Sequence, residues 1–129
     1  MPASNSVIDM HTHIMPPEWE DIGRRFGIDE WLWVRRESSI KSTIMQGKRE
    51  FRVITDQSFS PERHIADMDA EGIGRHLLQP IPVMFCYREP PEATAEFAEI
   101  HNDFIARNSE AGMLCWEAIT PLIWETWIR

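Results

Sequence analysis

The 129-residue sequence contains only two cysteines, Cys86 and Cys115. Two cysteines cannot form a disulfide framework, and their separation matches no zinc-ribbon spacing. No run of about 18 apolar residues is present, which argues against a membrane-spanning helix. The first six residues lack the basic and apolar regions of a secretory signal. The sequence therefore predicts a soluble protein of the reducing cytoplasm.

Basic side chains are also scarce. Thirteen Lys and Arg residues stand against 21 Asp and Glu residues, which gives a formal net charge of −8. Because an acidic chain has no general attraction for nucleic acid or anionic lipid, we expect neither as a partner. Glycine-rich phosphate loops are absent as well. The sequence does have 43% apolar residues, which is typical of a globular domain, and the length suits one domain.

Strand-like and helix-like patterns alternate along the chain. The sequence predicts a first strand within residues 7–13, an insertion over residues 18–58, and a helix, a strand and a second helix over residues 60–108. This order is typical of βα units around a parallel sheet, so the predicted fold class is α/β.

The insertion and the first helix have recognisable turn and cap residues. Residues 18–36 show no clean period, and we expect a short helix or loop there. Residues 40–54 predict a β-hairpin that turns at Gly47. Ser60 suits the N-cap of a helix, and Gly72 is placed to end it.

The second half of the sequence begins with the apolar run 76–85. It predicts a buried strand whose prolines confine pairing to its first part. A helix is expected from after Pro91 to about Asn108. Residues 113–115 suit the start of a third strand. The tryptophan-rich segment 112–129 as a whole lacks caps and amphipathic order, and we interpret it as an atypical tail.

The pair His11 and His13 is the strongest chemical signal in the sequence. Alternate residues of a strand lie on one face, so both imidazoles can reach one metal ion. Imidazole is a good ligand for zinc and similar divalent metals. Asp9 would share that face as an orienting carboxylate. The alternative is an ordinary surface pair, because His-X-His is common and two ligands do not complete a site.

Other polar residues carry weaker signals. Arg52 in the predicted hairpin is either a carboxylate-binding arginine or a solvent-facing strand residue. His64, His76 and His101 lack partners at metal-ligand spacing, and we expect the two helical ones, His64 and His101, to pack or face solvent. No histidine is near Cys86 in the sequence, which favours a structural thiol.

Several segments of residues 7–108 together resemble a known family. They are residues 8–16, Glu18-Trp19, Gly47-Lys48, 51–53, 60–65, Met68-Asp69, Gly72-Ile73, 82–87 and 102–104. These segments resemble the start of the α-amino-β-carboxymuconate-ε-semialdehyde decarboxylases, which are metal-dependent barrel enzymes of the amidohydrolase superfamily. The histidine pair marks the superfamily, whereas residues 51–53 and 82–87 are specific to the decarboxylases.

The resemblance implies a (β/α)8 TIM barrel with a small β-hairpin insertion after its first strand. It implies that His11 and His13 are zinc ligands and that Arg52 binds a substrate carboxylate. The implied reaction removes CO2 from aminocarboxymuconate semialdehyde or a similar small carboxylated substrate in tryptophan or aromatic catabolism, without an organic cofactor. The resemblance also implies that a complete barrel could form a homodimer.

The chain also departs from the family pattern. A barrel needs roughly 250 residues, and the family's remaining metal ligands and catalytic histidine come from later strands. We therefore expect residues 1–129 to be one incomplete barrel domain of two to three βα units, with little or no turnover alone. We hypothesise that the tail arises from a frameshift, a misassigned gene end or alternative splicing. The other hypotheses are a different amidohydrolase-type hydrolase and a non-catalytic fragment.

Overall fold

The computed structural model describes residues 7–108 and the backbone of residues 114–115. The predicted atypical tail, residues 112–129, otherwise lies outside the described residues. The elements follow in the order β1 (Ile8–His13), α1 (Ile22–Phe26), β2 (Leu32–Arg36), β3 (Lys41–Gln46), β4 (Arg49–Thr55), α2 (Pro61–Glu71), β5 (Arg75–Gln79), α3 (Pro91–Asn108) and β6 (Leu114–Cys115). Short 3-10 turns occupy Asp56–Ser58 and Pro82–Phe85.

Two three-stranded sheets organise these elements. One is parallel, with the order β1-β5-β6, and the other is antiparallel, with the order β2-β3-β4. The α/β class predicted from the sequence is therefore confirmed, as is a strand at Leu114–Cys115. None of the helices in the described part of the chain is long and apolar enough to cross a membrane.

The parallel sheet is built around β5. Strand β1 runs beside it, with Ile8 opposite Arg75 and His13 opposite Gln79. The register shifts between Asp9 and Thr12, which places a bulge at Met10 and His11, so that the first histidine of the pair lies within it. Strand β5 ends at Gln79 because the next residue is a proline, which has no N–H to donate to the ladder. The prediction that pairing is confined to the first part of the apolar run is confirmed.

Helix α2 has the ends that the sequence predicts. The Ser60 side chain accepts a hydrogen bond from the Arg63 backbone N–H at 3.2 Å, and proline fills the first helical position. Gly72 ends the helix in the left-handed conformation, with φ of 71°. Helix α3 covers the predicted range and ends at Asn108.

The insertion differs from the sequence prediction in one strand. Residues 40–54 form the expected hairpin, but residues 32–36 form a strand, β2, rather than a helix or loop. The short helix α1 accounts for only part of residues 18–36. The apolar alternation in β2 is short and ends in two arginines, so the sequence of this segment predicts a strand only weakly. Pairing with β3 is what makes it a strand.

The core consists of two clusters of apolar side chains. The larger one joins the buried face of the insertion to α3 and contains Met15, Ile22, Trp31, Leu32, Ile44, Ile54, Phe59, Met84, Ala93 and Phe97. The smaller one lies between the parallel sheet and the helices and contains Ile14, Met68, Leu78 and Ile105. Since Met15 and Ile14 belong to different clusters, the chain just after β1 is held from both sides.

Candidate functional site

The structure brings His11 and His13 together at the carboxyl end of β1. Their ring centroids are 5.0 Å apart, and the ring planes are nearly perpendicular. Nδ1 of His13 lies 3.0 Å from the Pro80 carbonyl oxygen. Because a carbonyl oxygen only accepts, Nδ1 carries the proton, and Nε2 keeps the lone pair that a metal requires. His13 is half-buried and His11 is exposed.

The role expected for Asp9 is wrong. The bulge places Asp9 in register with His76 and Thr12 in register with Leu78, whereas His13 is opposite Gln79. Paired residues of neighbouring strands share a face, so Asp9 lies on the opposite face of the sheet from His13. Its carboxylate accepts a hydrogen bond from the His11 backbone N–H at 3.0 Å. Asp9 therefore fixes the backbone of the bulge and does not orient an imidazole.

The histidine pair is not completed by other described residues. Within residues 7–108, no group of three or more His, Cys, Asp and Glu side chains is arranged to hold a metal ion. Two imidazoles provide half of a tetrahedral zinc shell. The chemistry of the pair suits a divalent metal, and its role as a ligand pair stays a prediction.

Arg52 lies on β4, opposite Ile44 of β3. Cross-strand partners share a face, so Arg52 is on the face of the insertion that buries Ile44 and Ile54. Its side chain is exposed, and its guanidinium carbon is 5.9 Å from the Phe51 ring centroid. Arg52 forms no ion pair with any residue in 7–108. No described contact joins it to His11 or His13, and its role as a substrate-binding residue stays a prediction.

Cys86 has the inert environment expected of a structural thiol. Burial raises the pKa of the thiol to about 12. The sulfur lies 3.7 Å from the carbonyl oxygen of Val83, one turn earlier. A thiol that stays protonated at neutral pH is a poor nucleophile.

The sequence interpretation missed a contact between a histidine of helix α2 and a histidine of the parallel sheet. His64 of α2 and His76 of β5 are both buried, and their Nδ1 atoms are 3.3 Å apart. Burial also lowers the pKa of His64. The two residues belong to elements of different period, and no sequence spacing signals a contact between a helix and a strand.

Of the two roles that the sequence left open for His101, packing and a solvent-facing position, the structure shows packing. It is buried on α3, and its Nδ1–H donates to the Phe97 carbonyl oxygen at 2.9 Å. Its ring contacts those of Phe97 and Trp19, with centroids 4.4 Å and 5.2 Å away. Desolvation lowers the pKa of His101 to about 4, so the imidazole is neutral near pH 7.

The fold and the site define a class before any relative is considered. The described part is an α/β protein whose first parallel strand ends in two clustered imidazoles. The comparison with curated proteins points to decarboxylases. No protein-family model matches the chain.

The relatives carry one name. The chain is 30% identical over 100 residues to the 2-amino-3-carboxymuconate-6-semialdehyde decarboxylase of Dictyostelium discoideum, over 78% of this chain and 28% of the relative. It is 29% identical over 96 residues to the Caenorhabditis elegans decarboxylase of that name, over 74% of this chain and 24% of the relative. The Sus scrofa protein of that name is 34% identical over 50 residues, covering 39% of this chain and 36% of the relative.

These matches confirm the resemblance to the decarboxylase family that the sequence motifs indicate. The similarity is to an enzyme family. The chain spans between about a quarter and a third of the length of the curated relatives it matches, since 28%, 24% and 36% of them are covered.

Proposed function

We propose that this chain contributes the first βα units of a metal-dependent carboxy-lyase with a (β/α)8 barrel. The observation that carries the proposal is the approach of His11 and His13 at the carboxyl end of β1, in a chain similar to decarboxylases. In barrel enzymes this end of the strands carries the active site. The parallel order β1-β5-β6 supports the barrel, because consecutive parallel strands joined by helices are its repeating unit.

The proposed metal is Zn²⁺ or a similar divalent ion, and no organic cofactor is involved. His11 and His13 would supply two imidazole ligands, and the remaining ligands lie outside the described residues. When bound, such an ion stabilises negative charge and activates water. The hydrogen bond from His13 Nδ1–H to the Pro80 carbonyl fixes the ring and its tautomer. That bond leaves Nε2 of His13 ready to bind the ion without a change of tautomer.

Arg52 is the proposed carboxylate-binding residue. It has no described acidic partner, and it shares a sheet face with Ile44, which packs in the same cluster as Met15. Met15 follows His13 by two residues, so this face of the insertion adjoins the chain that leaves the histidine pair. A guanidinium holds a carboxylate by two parallel hydrogen bonds, which suits a small carboxylated substrate.

The proposed reaction is loss of CO2 from 2-amino-3-carboxymuconate-6-semialdehyde or a similar carboxylated substrate of tryptophan or aromatic catabolism. Arg52 would hold the substrate while negative charge develops at the carbon that loses CO2. The proposal includes a cytoplasmic location and a homodimer of the complete barrel. The 129-residue polypeptide alone is expected to have little or no turnover, since its described residues hold only two of the ligands.

Two measurements on the purified chain test this expectation. Bound zinc is measured by elemental analysis after dialysis, and CO2 release is followed with the semialdehyde substrate. We expect zinc well below one ion per chain and no CO2 release. Stoichiometric zinc together with CO2 release would contradict the expectation that this chain needs further ligands.

A chimaera tests the roles of the residues. Residues 7–108 replace the matching segment of the Dictyostelium decarboxylase. In a folded chimaera we expect zinc and CO2 release. His13→Ala should bring zinc to background, and Arg52→Lys should lower turnover about 100-fold while zinc is retained. Arg49→Lys on the same strand is the matched control and should change neither. A folded, zinc-free chimaera contradicts the ligand assignment, and an unaffected Arg52→Lys variant contradicts the carboxylate role.

A further inference from the structure

The buried pair His64 and His76 joins helix α2 to strand β5. The imidazoles meet edge to face, with centroids 5.4 Å apart and planes at 85°. His64 is 7% exposed and His76 is 8% exposed, so bulk water does not separate them. The Nδ1 atoms face each other at 3.3 Å, which is a hydrogen-bond distance only if one of them carries a proton.

The partner of the other His64 nitrogen determines which Nδ1 carries that proton. His64 Nε2 lies 2.7 Å from the Gln57 carbonyl oxygen, which can only accept, so Nε2 carries a proton. In neutral His64, Nδ1 is then the acceptor. His76 must therefore donate its Nδ1–H, and its own Nε2 is the nitrogen without a proton.

The pair can accept one proton but not two. His76 Nε2 takes no part in the bond between the two Nδ1 atoms, so a proton on that nitrogen leaves the bond intact. A second proton must go to His64 Nδ1, which already faces the His76 Nδ1–H. Two N–H groups would then point at each other between two buried cations, which removes the hydrogen bond and adds repulsion.

The charged groups around the pair do not cancel this repulsion. Burial lowers the pKa of His64, and the charge of the Asp67 carboxylate on α2 acts in the opposite direction. Its two oxygens already accept hydrogen bonds, from Arg63 Nε at 2.9 Å and from Gln57 Nε2 at 3.3 Å. On β1, Asp9 is in register with His76, and its carboxylate accepts from the His11 backbone. Neither acid is a hydrogen-bond partner of either ring.

A further acid lies on the 3-10 turn that precedes α2. Asp56 lies 3.8 Å from Arg63 Nη1, so this acid is paired with an arginine that also holds Asp67. The turn therefore adds a balanced pair rather than a free carboxylate.

We propose that His64 and His76 form an acid-sensitive clamp, which holds α2 on β5 with no or one added proton and releases the helix at the second. The consequence reaches β1. Met68 of α2 packs in one cluster with Ile14 and Leu78, and Ile14 follows His13 directly. Release of α2 therefore loosens the packing at the carboxyl end of β1. The proposal is independent of the proposed decarboxylase function.

Hydrogen exchange on the full chain tests the clamp. Protection factors of the α2 amides, corrected for intrinsic exchange, are measured at pH 7.5 and pH 5.5. When α2 opens, both histidines have ordinary pKa values and can each bind a proton, whereas the closed pair binds only one. Lowering the pH therefore favours the open helix, and we expect about a tenfold loss of protection between pH 7.5 and pH 5.5. His76→Gln should reduce this loss to about threefold or less, since a glutamine amide can turn either its NH2 or its carbonyl toward His64.

His101→Leu is the matched control, because it removes a buried histidine of α3 that does not contact the pair. The tenfold loss of α2 protection should persist in this variant. An equal loss of protection in His76→Gln and the unmodified chain would overturn the proposal.

Nitrogen-15 NMR of the imidazoles gives a second test that needs no variant. At neutral pH we expect the Nε2–H tautomer for His64 and the Nδ1–H tautomer for His76. We also expect one protonation event before α2 opens. An Nδ1–H tautomer for His64, or two charged rings in a closed helix, would contradict the clamp.

Discussion

Strands of the antiparallel insertion pair with strands close to them in sequence, whereas strands β1 and β5 of the parallel sheet are far apart along the chain. In the insertion, Leu32 pairs with Gln46 and Gln46 with Arg49, so every strand meets a near neighbour in sequence. In the parallel sheet, Ile8 pairs with Arg75. Within the described residues β1 has a neighbouring strand on one side only, and its Met10 is 58% exposed.

The region that forms by local pairing is therefore not the region that carries the histidine pair. Short turns close the insertion at little entropic cost. Strand β1, in contrast, gains its backbone hydrogen bonds only when a strand far along the chain pairs with it. The histidine pair nevertheless lies on β1, and the insertion supplies only Arg52. The candidate site therefore depends on the region whose structure requires the most distant contacts.

The largest expected effect comes from the side chain that links the insertion to α3. Phe97 is fully buried, and its ring centroid lies 5.2 Å from that of Trp31 and 5.1 Å from that of Trp19. Phe97→Ala should lower the free energy of unfolding by about 3–5 kcal/mol, since it leaves a large cavity. Urea denaturation measures the loss. Phe51→Ala on the exposed face is the control, at under about 1 kcal/mol. Equal losses would contradict this view of the core.

A second prediction concerns the pH dependence of the α3 side of the core. Burial lowers the pKa of His101 to about 4 from an ordinary 6.5. The unfolded chain therefore binds more protons than the folded chain between these values, and stability falls as pH falls through this window. The loss attributable to His101 is about 3 kcal/mol. His101→Leu should flatten the stability profile between pH 6.5 and pH 4, whereas the exposed His11→Ala should not. A profile unchanged in His101→Leu would show that another group titrates.

The third prediction tests whether the hairpin turn requires glycine at position 47. Gly47 has φ of 58°, and a Cβ there would lie 2.9 Å from the Asp29 carbonyl oxygen. Gly47→Ala should cost about 2 kcal/mol, from left-handed strain and this close contact. Gly27 has φ of 69° and open space around a Cβ, so Gly27→Ala should cost only about 1 kcal/mol. Urea denaturation compares the two, and equal costs would show that the contact with Asp29 is relieved.

The smallest predicted effect lies beside the parallel sheet. Ser60 caps α2, and Ser60→Ala should cost about 1 kcal/mol, because the Arg63 N–H loses its acceptor. Ser39→Ala on the exposed surface should cost less than about 0.5 kcal/mol. Hydrogen exchange should place the Ser60→Ala effect in α2 and spare the insertion. A uniform loss of protection would mean that the two regions unfold together.

Local chemistry explains which elements could be predicted. The cap at Ser60, the stop at Gly72 and the hairpin around Gly47 follow from backbone preferences of single residues. Strand β2 could not be predicted in this way, because its short apolar alternation becomes a strand only when β3 pairs with it. The bulge in β1 depends equally on β5. It moves Asp9 to the other face, which strict alternation does not foresee.

By itself, the sequence determined the α/β class, the helix ends, the hairpin and the resemblance to decarboxylases, since each depends on residues close together or on a motif. Only the tertiary structure decided that His13 donates to Pro80 and that His64 faces His76. These contacts join residues of different elements. The spacing of side chains along one helix or strand shows which residues share a face, but not which other element that face will contact. The tautomers of the histidines, and with them their chemistry, are set at that level.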